Sequence, residues 1–408
     1  MIYMSMVNYI LVLHIITISW QSVFRYSDWF PLSILTLLIL SFVFIVRQFL
    51  NKFNNKHYPL KFPRSDLLII IGLILMCVNV LITLTSHGGN YMLAYSAIFS
   101  SYLVILWFLD FPVNIKMLLR ANFIGVNFIS SYIIAEVLLR FFYSINLHEI
   151  FSINREATAT VIPGFYRGYG LSTEPTQVGN YLCSFCPFAI YYARKMNVHY
   201  FVFYMCFLIF ASLLLFSVAS VLILFISFLC FFVLSKEKNK ILTRFFYISF
   251  IFSLFFIFIG SFSGGKDIIL GAIGTLIDKL FLSETSLSAN QRTYLLLRGL
   301  QDISNYPVLG LGMGWFSSNN LPSNINWYLF FASEAGLIVC FFFVYWLCIQ
   351  LFNSFLSYKR TLSSLYLVSM VSIFSGMLYL LFISTFQNLF LLSSILVYRL
   401  IKRHNEFL

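Results

Sequence analysis

YFVFYMCFLIFASLLLFSVASVLILFISFLCFFVL, residues 200–234, decides the fold. The run carries no charge over 35 residues, and one bilayer crossing takes about 20 apolar residues. It therefore holds two crossings, and the short SVAS segment Ser217–Ser220 is where a tight hairpin divides them. Residues 200–216 and 219–235 become two antiparallel spans.

Working outward, apolar runs of crossing length recur upstream at 2–20, 29–50, 67–86, 91–109, 121–143 and 178–193, and downstream at 242–262, 326–350, 361–384 and 386–400. The chain is expected to be an all-α polytopic membrane protein, one transmembrane domain over 1–408 with about 12 helices. Composition agrees: 60% of the 408 residues are apolar, 20% aromatic and 10% charged, with mean hydropathy +0.89. A soluble domain carries about 25% charged residues, so an ordinary cytosolic protein is excluded. The first run has neither a basic leader nor a small-residue cleavage site, so it reads as a retained span without a signal peptide.

The net charge of +12 tests the topology. With the hairpin in place, 18 of the 26 basic residues fall on one side against Asp66, Asp110, Glu237 and Glu406, a net of +14. The other side holds 8 basic and 10 acidic residues. By the positive-inside rule the basic side is cytoplasmic and carries both termini. The excess therefore orients the protein and does not signal nucleic-acid binding.

Two exported loops are long, 144–177 and 263–325. Loops beyond about 15 residues in a compact architecture are usually functional or disordered, and these two are aromatic and apolar. The chemistry is expected there. In the second loop SFSGG is a flexible exit, Asp267–Leu282 has the spacing of an interfacial helix, and Ser288 with Gln291 fits a capping box. That box opens a helix bearing Arg292 and Arg298, which Pro307 ends.

Several classes drop out. There is no Walker A loop and no GxGxxG after a strand, and the HEIFSINRE stretch around His148 is not HExxH. An ATP-driven pump and a zinc protease are not expected. All seven cysteines lie in expected spans, Cys183 and Cys186 as CSFC inside an apolar helix, where small apolar packing is the commoner role.

The candidate chemistry is in a few charged and glycine residues. Glu136 and Arg140 are spaced i, i+4 near the exported end of a span, either a mutual structural pair or a substrate-facing one. The first loop carries Arg155, Glu156 and Arg167 and then GYGLSTEPTQVGNYL, with Glu174 fixed before Pro175 at the membrane entrance. Partial burial there would raise its pKa toward a general-base range, although a turn or cap role is commoner. The second loop continues as YPVLGLGMGW with Gly310, Gly312 and Gly314, then Asn326 and Glu334. Alternating glycines let a backbone approach another surface closely, and nearby guanidinium groups suit bidentate phosphate binding. A tight loop flanked by solvated arginines fits the same residues equally well.

The combination resembles the O-antigen polymerase and ligase family of bacterial envelope glycosyltransferases. It is carried by an Arg-bearing helix, then P-V-L-G-L-G-M-G, a gap, and N-x-Y-L-x-x-x-x-E-x-G over Arg292–Gly336, with E-P-T-x-x-G-x-Y-L at 174–182. The resemblance implies a GT-C-like fold in the bacterial inner membrane. It implies substrates that are undecaprenyl-diphosphate-linked glycans joined at the periplasmic face, with no nucleotide, cofactor or metal and with a chain-length regulator as a partner. It implies Arg292 and Arg298, then Arg167, Arg155 and Arg140, as contacts to the diphosphate, with Asn326 and Glu334 at the substrate and Glu174 activating the acceptor. Ile325 stands where ligases usually have a histidine, and the Ser217–Ser220 hairpin lacks the arginine that ligases tend to carry there. Both departures favour a polymerase over a ligase. A glycolipid flippase has a similar span count, but short loops and charges spread through both halves of its bundle.

Overall fold

The computed structural model describes residues 2–18, 32–53, 63–108, 113–150, 160–162, 165–172, 174–194, 198–215, 217–234, 287–322, 326–383 and 389–407. Nearly all of these are helical. In chain order the first elements are α1 (Ile2–Ile18), α2 (Leu32–Phe53), α3 (Asp66–Thr83), α4 (Gly88–Phe108), α5 (Ile115–Tyr143) and the single turn α6 (Leu147–Ile150). A short antiparallel ribbon follows, β1 (Thr160–Ile162) against β2 (Phe165–Tyr166). Then come α7 (Pro175–Ala193), α8 (Val198–Leu214), α9 (Val218–Leu234), α10 (Leu287–Asn305), α11 (Trp315–Ser318), α12 (Trp327–Ala335), α13 (Leu337–Thr361), α14 (Ser364–Tyr379) and α15 (Leu389–Phe407).

This is a helical membrane protein. Among the described residues, α2, α3, α4, α5 and α13 are long and apolar enough to cross a bilayer, and α1, α8, α9 and α14 contribute shorter apolar helices. Large apolar side chains stand exposed on these helices, among them Phe42, Leu81, Phe203 and Phe341. A bundle bathed in water would not present them. The run at 200–234 divides where expected, α8 ending at Leu214 and α9 starting at Val218. The expected span at 242–262 and the expected interfacial helix at 267–282 lie outside the described residues.

One expected span is corrected. The apolar run 326–350 predicts a single crossing, but the chain breaks at Gly336, which adopts φ 86 and ψ 160, outside any helix. A nine-residue helix, α12, precedes the break and α13 follows it. A Cβ at Gly336 would lie 2.0 Å from the Val308 carbonyl oxygen, so the segment after α10 packs where a continuous helix would carry a side chain. The crossing is Leu337–Thr361, displaced toward the C-terminus. A smaller correction concerns α10, which opens at Leu287, so that Ser288 is its second residue and not its cap.

α14 is the hub, packed against α7, α9, α13 and α15. Small hydroxyl side chains let it approach closely. Ser372 donates to the Ser184 carbonyl of α7 and its Oγ lies 2.9 Å from Ser394 Oγ of α15, and Ser375 Oγ lies 2.5 Å from Ser227 Oγ of α9. Hydroxyls buried in an apolar medium must find partners, and here they join four helices.

At the other end of the bundle Asp66, 1% exposed, holds three helices to α3. Its carboxylate accepts from Arg399 Nη1 of α15 at 2.8 and 2.9 Å, from Trp107 Nε1 of α4 at 2.9 Å and from Trp346 Nε1 of α13 at 3.2 Å. The charge count places Asp66, with Arg399 among the 18 basic residues, on the cytoplasmic side. Both belong to one buried clamp.

Candidate functional site

Two polar assemblies share the end of the bundle opposite that clamp. The first is the glycine segment after α10. Leu311 N and Gly312 N donate to the carbonyls of Ser333 and Glu334, at 2.8 and 2.9 Å. The Glu334 carboxylate reaches back to accept from Gly314 N at 3.0 Å and Phe316 N at 3.1 Å. From the other side Asn79 of α3 donates to the Leu309 carbonyl and accepts from Met313 N at 3.1 Å, and Thr85 donates to the Met313 carbonyl. The segment is thus stitched between α12 and the α3–α4 corner.

The three glycines are explained by that stitching. A Cβ on Gly310 would meet the Glu334 carbonyl at 2.6 Å, one on Gly312 would meet the Thr83 side chain at 2.5 Å, and one on Gly314 would meet the His87 backbone at 2.9 Å. The close surface is the protein itself. Glu334 is fully buried and occupied by loop amides, which makes it a lock on the loop. α12 is too short to cross and precedes the spanning helix. Burial pushes the Glu334 carboxyl up from 4.5 to about 7, against the downward pull of the Gly314 and Phe316 amides. Asn326 caps α12, its side chain accepting from Tyr328 N at 3.0 Å and Leu329 N at 3.3 Å.

The lock also places Arg298. Its guanidinium lies over the rings of Phe316 and Trp315, 5.2 and 5.8 Å from their centroids, and 3.9 Å from the Asp302 carboxylate one turn on. Burial raises the Asp302 carboxyl and Arg298 lowers it. Arg292 is on the same helix about one and two-thirds turns earlier, with its side chain outside the described residues.

The second assembly lies between α5, α7 and the α8–α9 hairpin. Glu136 of α5 accepts through one oxygen from Tyr169 N and Gly170 N, both at 2.9 Å. This is the same device as Glu334: a buried helical glutamate holding two loop amides beside a glycine of positive φ, Gly170 at 61° and Gly314 at 74°. Here the pinned loop itself carries an arginine, whereas Arg298 stands on the helix beside its loop. Arg167 Nε donates to the Leu215 carbonyl at 2.7 Å and Gly168 N to Leu214 O at 2.9 Å, which seats Arg167 on the tip of the hairpin. Just inside, Ser220 and Ser217 lie 2.8 and 3.5 Å from the Tyr379 hydroxyl of α14.

Glu174 departs from expectation. Partial burial was expected, but the side chain is exposed at the start of α7, where it accepts from Thr176 Oγ1 at 3.1 Å. It is the N-cap residue by position, yet its side chain makes no capping bond. Arg140 is half-buried in the last turn of α5, and Arg155 lies outside the described residues. The two assemblies meet at the end of α14: Trp327 N donates to Leu380 O and the Tyr328 hydroxyl to Met377 O, both at 2.9 Å. Tyr379, between those carbonyls in sequence, bonds the hairpin.

Asn79, Tyr379 and the hairpin serines were missed in the sequence. A signal existed for Asn79, a polar residue in the apolar run of α3, because intramembrane polar groups seek partners.

No protein-family profile matches the chain, and no curated protein matches it.

Proposed function

We propose that the chain is a membrane glycosyltransferase that polymerises undecaprenyl-diphosphate-linked oligosaccharide repeat units at the periplasmic face of the bacterial inner membrane. The observation that carries the reading is the paired arrangement at one rim of an apolar bundle. Two buried glutamates each pin a loop, and each pinned loop places an arginine, Arg167 on the hairpin and Arg298 over Trp315 and Phe316. Fixed guanidinium groups at the edge of a bilayer suit a diphosphate whose lipid tail stays in the membrane. We read the bundle as GT-C-like with about 12 crossings, its termini cytoplasmic and this rim periplasmic, as the charge distribution favours.

In this reading the acceptor hydroxyl attacks the anomeric carbon of the growing chain while the bond from that carbon to the diphosphate oxygen breaks. Arg298 and Arg167, with Arg292, stabilise the charge gathering on the departing lipid diphosphate. Much of the rate comes from holding the two substrates in line. Glu174, exposed at the start of α7, takes the proton of the acceptor hydroxyl.

The test is direct. Purified protein in detergent, supplied with lipid-diphosphate-linked repeat units, is expected to give a ladder of longer chains. Arg167→Ala and Arg298→Ala are each expected to lower the rate by about 10²-fold, the usual scale for losing one fixed donor to developing charge. The absence of a ladder, together with movement of the lipid across a liposome bilayer, would replace this reading with the flippase.

A further inference from the structure

We propose that α10 lies in the membrane surface, its outward face inserted among phospholipids on the side where the two loops gather. From residue 293 on, where its side chains are described, the face it turns outward consists of Thr293, Tyr294, Leu297, Leu300, Gln301, Ser304 and Asn305. None of these is charged. Tyr294, Leu297 and Leu300 are 61%, 62% and 54% exposed, while the Arg298 guanidinium lies over Trp315 and Phe316 with the Asp302 carboxylate beside it. A helix on a water-facing surface has the reverse pattern, charges outward and leucines inward. An uncharged mixture of Tyr, Leu, Thr and Gln suits the headgroup and acyl boundary, where a tyrosine keeps its ring in the apolar layer and its hydroxyl wet.

The position of the helix supports lipid as the occupant. After α10 the chain passes through exposed Tyr306 and Val308, and the Pro307 carbonyl accepts from Leu337 N at 2.9 Å. Leu337 is the first residue of the spanning helix α13, whose Leu337, Ile338 and Phe341 are exposed where lipid surrounds the bundle. The outward apolar surface of α10 and the 306–309 segment therefore adjoins a lipid-facing surface at the point where that surface leaves the bilayer. An interfacial helix is the arrangement that leaves both in one phase.

This placement stands apart from the reaction. Where it rests on the proposed polymerase, it sets Arg298 at headgroup depth, so that a lipid-borne diphosphate reaches it by lateral diffusion without first leaving the membrane.

The test uses the full-length chain in phosphatidylethanolamine–phosphatidylglycerol nanodiscs, with photoreactive p-benzoylphenylalanine in place of Tyr294 or of Leu297, and in place of Phe341 as the lipid-facing reference. After irradiation, a mass gain of one phospholipid is expected at 294 and 297, as at 341. Unmodified chain at both positions, or a cross-link from them to another segment of the same chain, overturns the proposal. Loss of activity on lipid-linked repeat units has no bearing on this readout, so the placement and the polymerase reading fail separately.

Discussion

Glu334 has two opposed demands on it. Removal from water favours the neutral acid, whereas two amide N–H groups favour the carboxylate. The folded chain therefore holds the proton up to about pH 7, while the unfolded chain releases it near 4.5. With its folded pKa raised, the group stabilises the fold fully below 4.5, and this stability is lost as pH rises through 7. Unfolding midpoints in detergent should fall between pH 4.5 and 8, and Glu334→Gln should remove that part of the slope. The amide replaces one acceptor by a donor facing an N–H, so Glu334→Gln should also cost about 1–3 kcal/mol at pH 5. A variant with the parental stability and slope would show that the carboxylate does not hold the loop. None of this was legible in the sequence, because the partner amides lie 18 and 20 residues away, across a turn whose course no local pattern fixes.

At the scale of elements, the break between α12 and α13 makes the strongest claim. Gly336→Ala adds a methyl group against the Val308 carbonyl at a φ of +86, so it is strained twice. It should cost at least about 2 kcal/mol and shift the protein toward aggregate in fluorescence-detected gel filtration. Gly89→Ala, which meets nothing within 4 Å at the start of α4, is the matched control and should behave as the parent. The positions of the other helices could be read because an apolar run of bilayer length has few other uses. The break could not be, since WYLFFAS on one side and LIVCFFFVYW on the other are equally apolar. Only Glu334 and the glycine two residues on mark it, and an isolated glycine in a helical pattern is ordinarily tolerated. Within the candidate site, the arginines and glycines stood out in the sequence as chemistry, but their partners on α3, α8 and α14 did not.

The whole molecule is secured at both ends by different means. At one end hydrogen bonds to backbone amides and carbonyls tie loops to helices. At the other, the Asp66–Arg399 pair with two indoles ties α3, α4, α13 and α15. Breaking such a pair leaves one buried charge uncompensated, so Asp66→Asn or Arg399→Met alone should cost about 3–5 kcal/mol. The double variant Asp66→Leu with Arg399→Met should recover most of that loss, as measured by the fraction of protein that stays monodisperse after heating. Single variants as stable as the parent would show that the clamp contributes no net stability.

The stitching of the glycine segment also bears on how the chain is made. Asn79 leaves the ribosome early, yet its partners at Leu309 and Met313 follow 230 and 234 residues later. Until then α3 sits in the bilayer with an amide that nothing from the distant segment has met. The first half of the protein is therefore inserted before it can be completed, and the bonds that fix the end of α3 form only once the segment after α10 has been made.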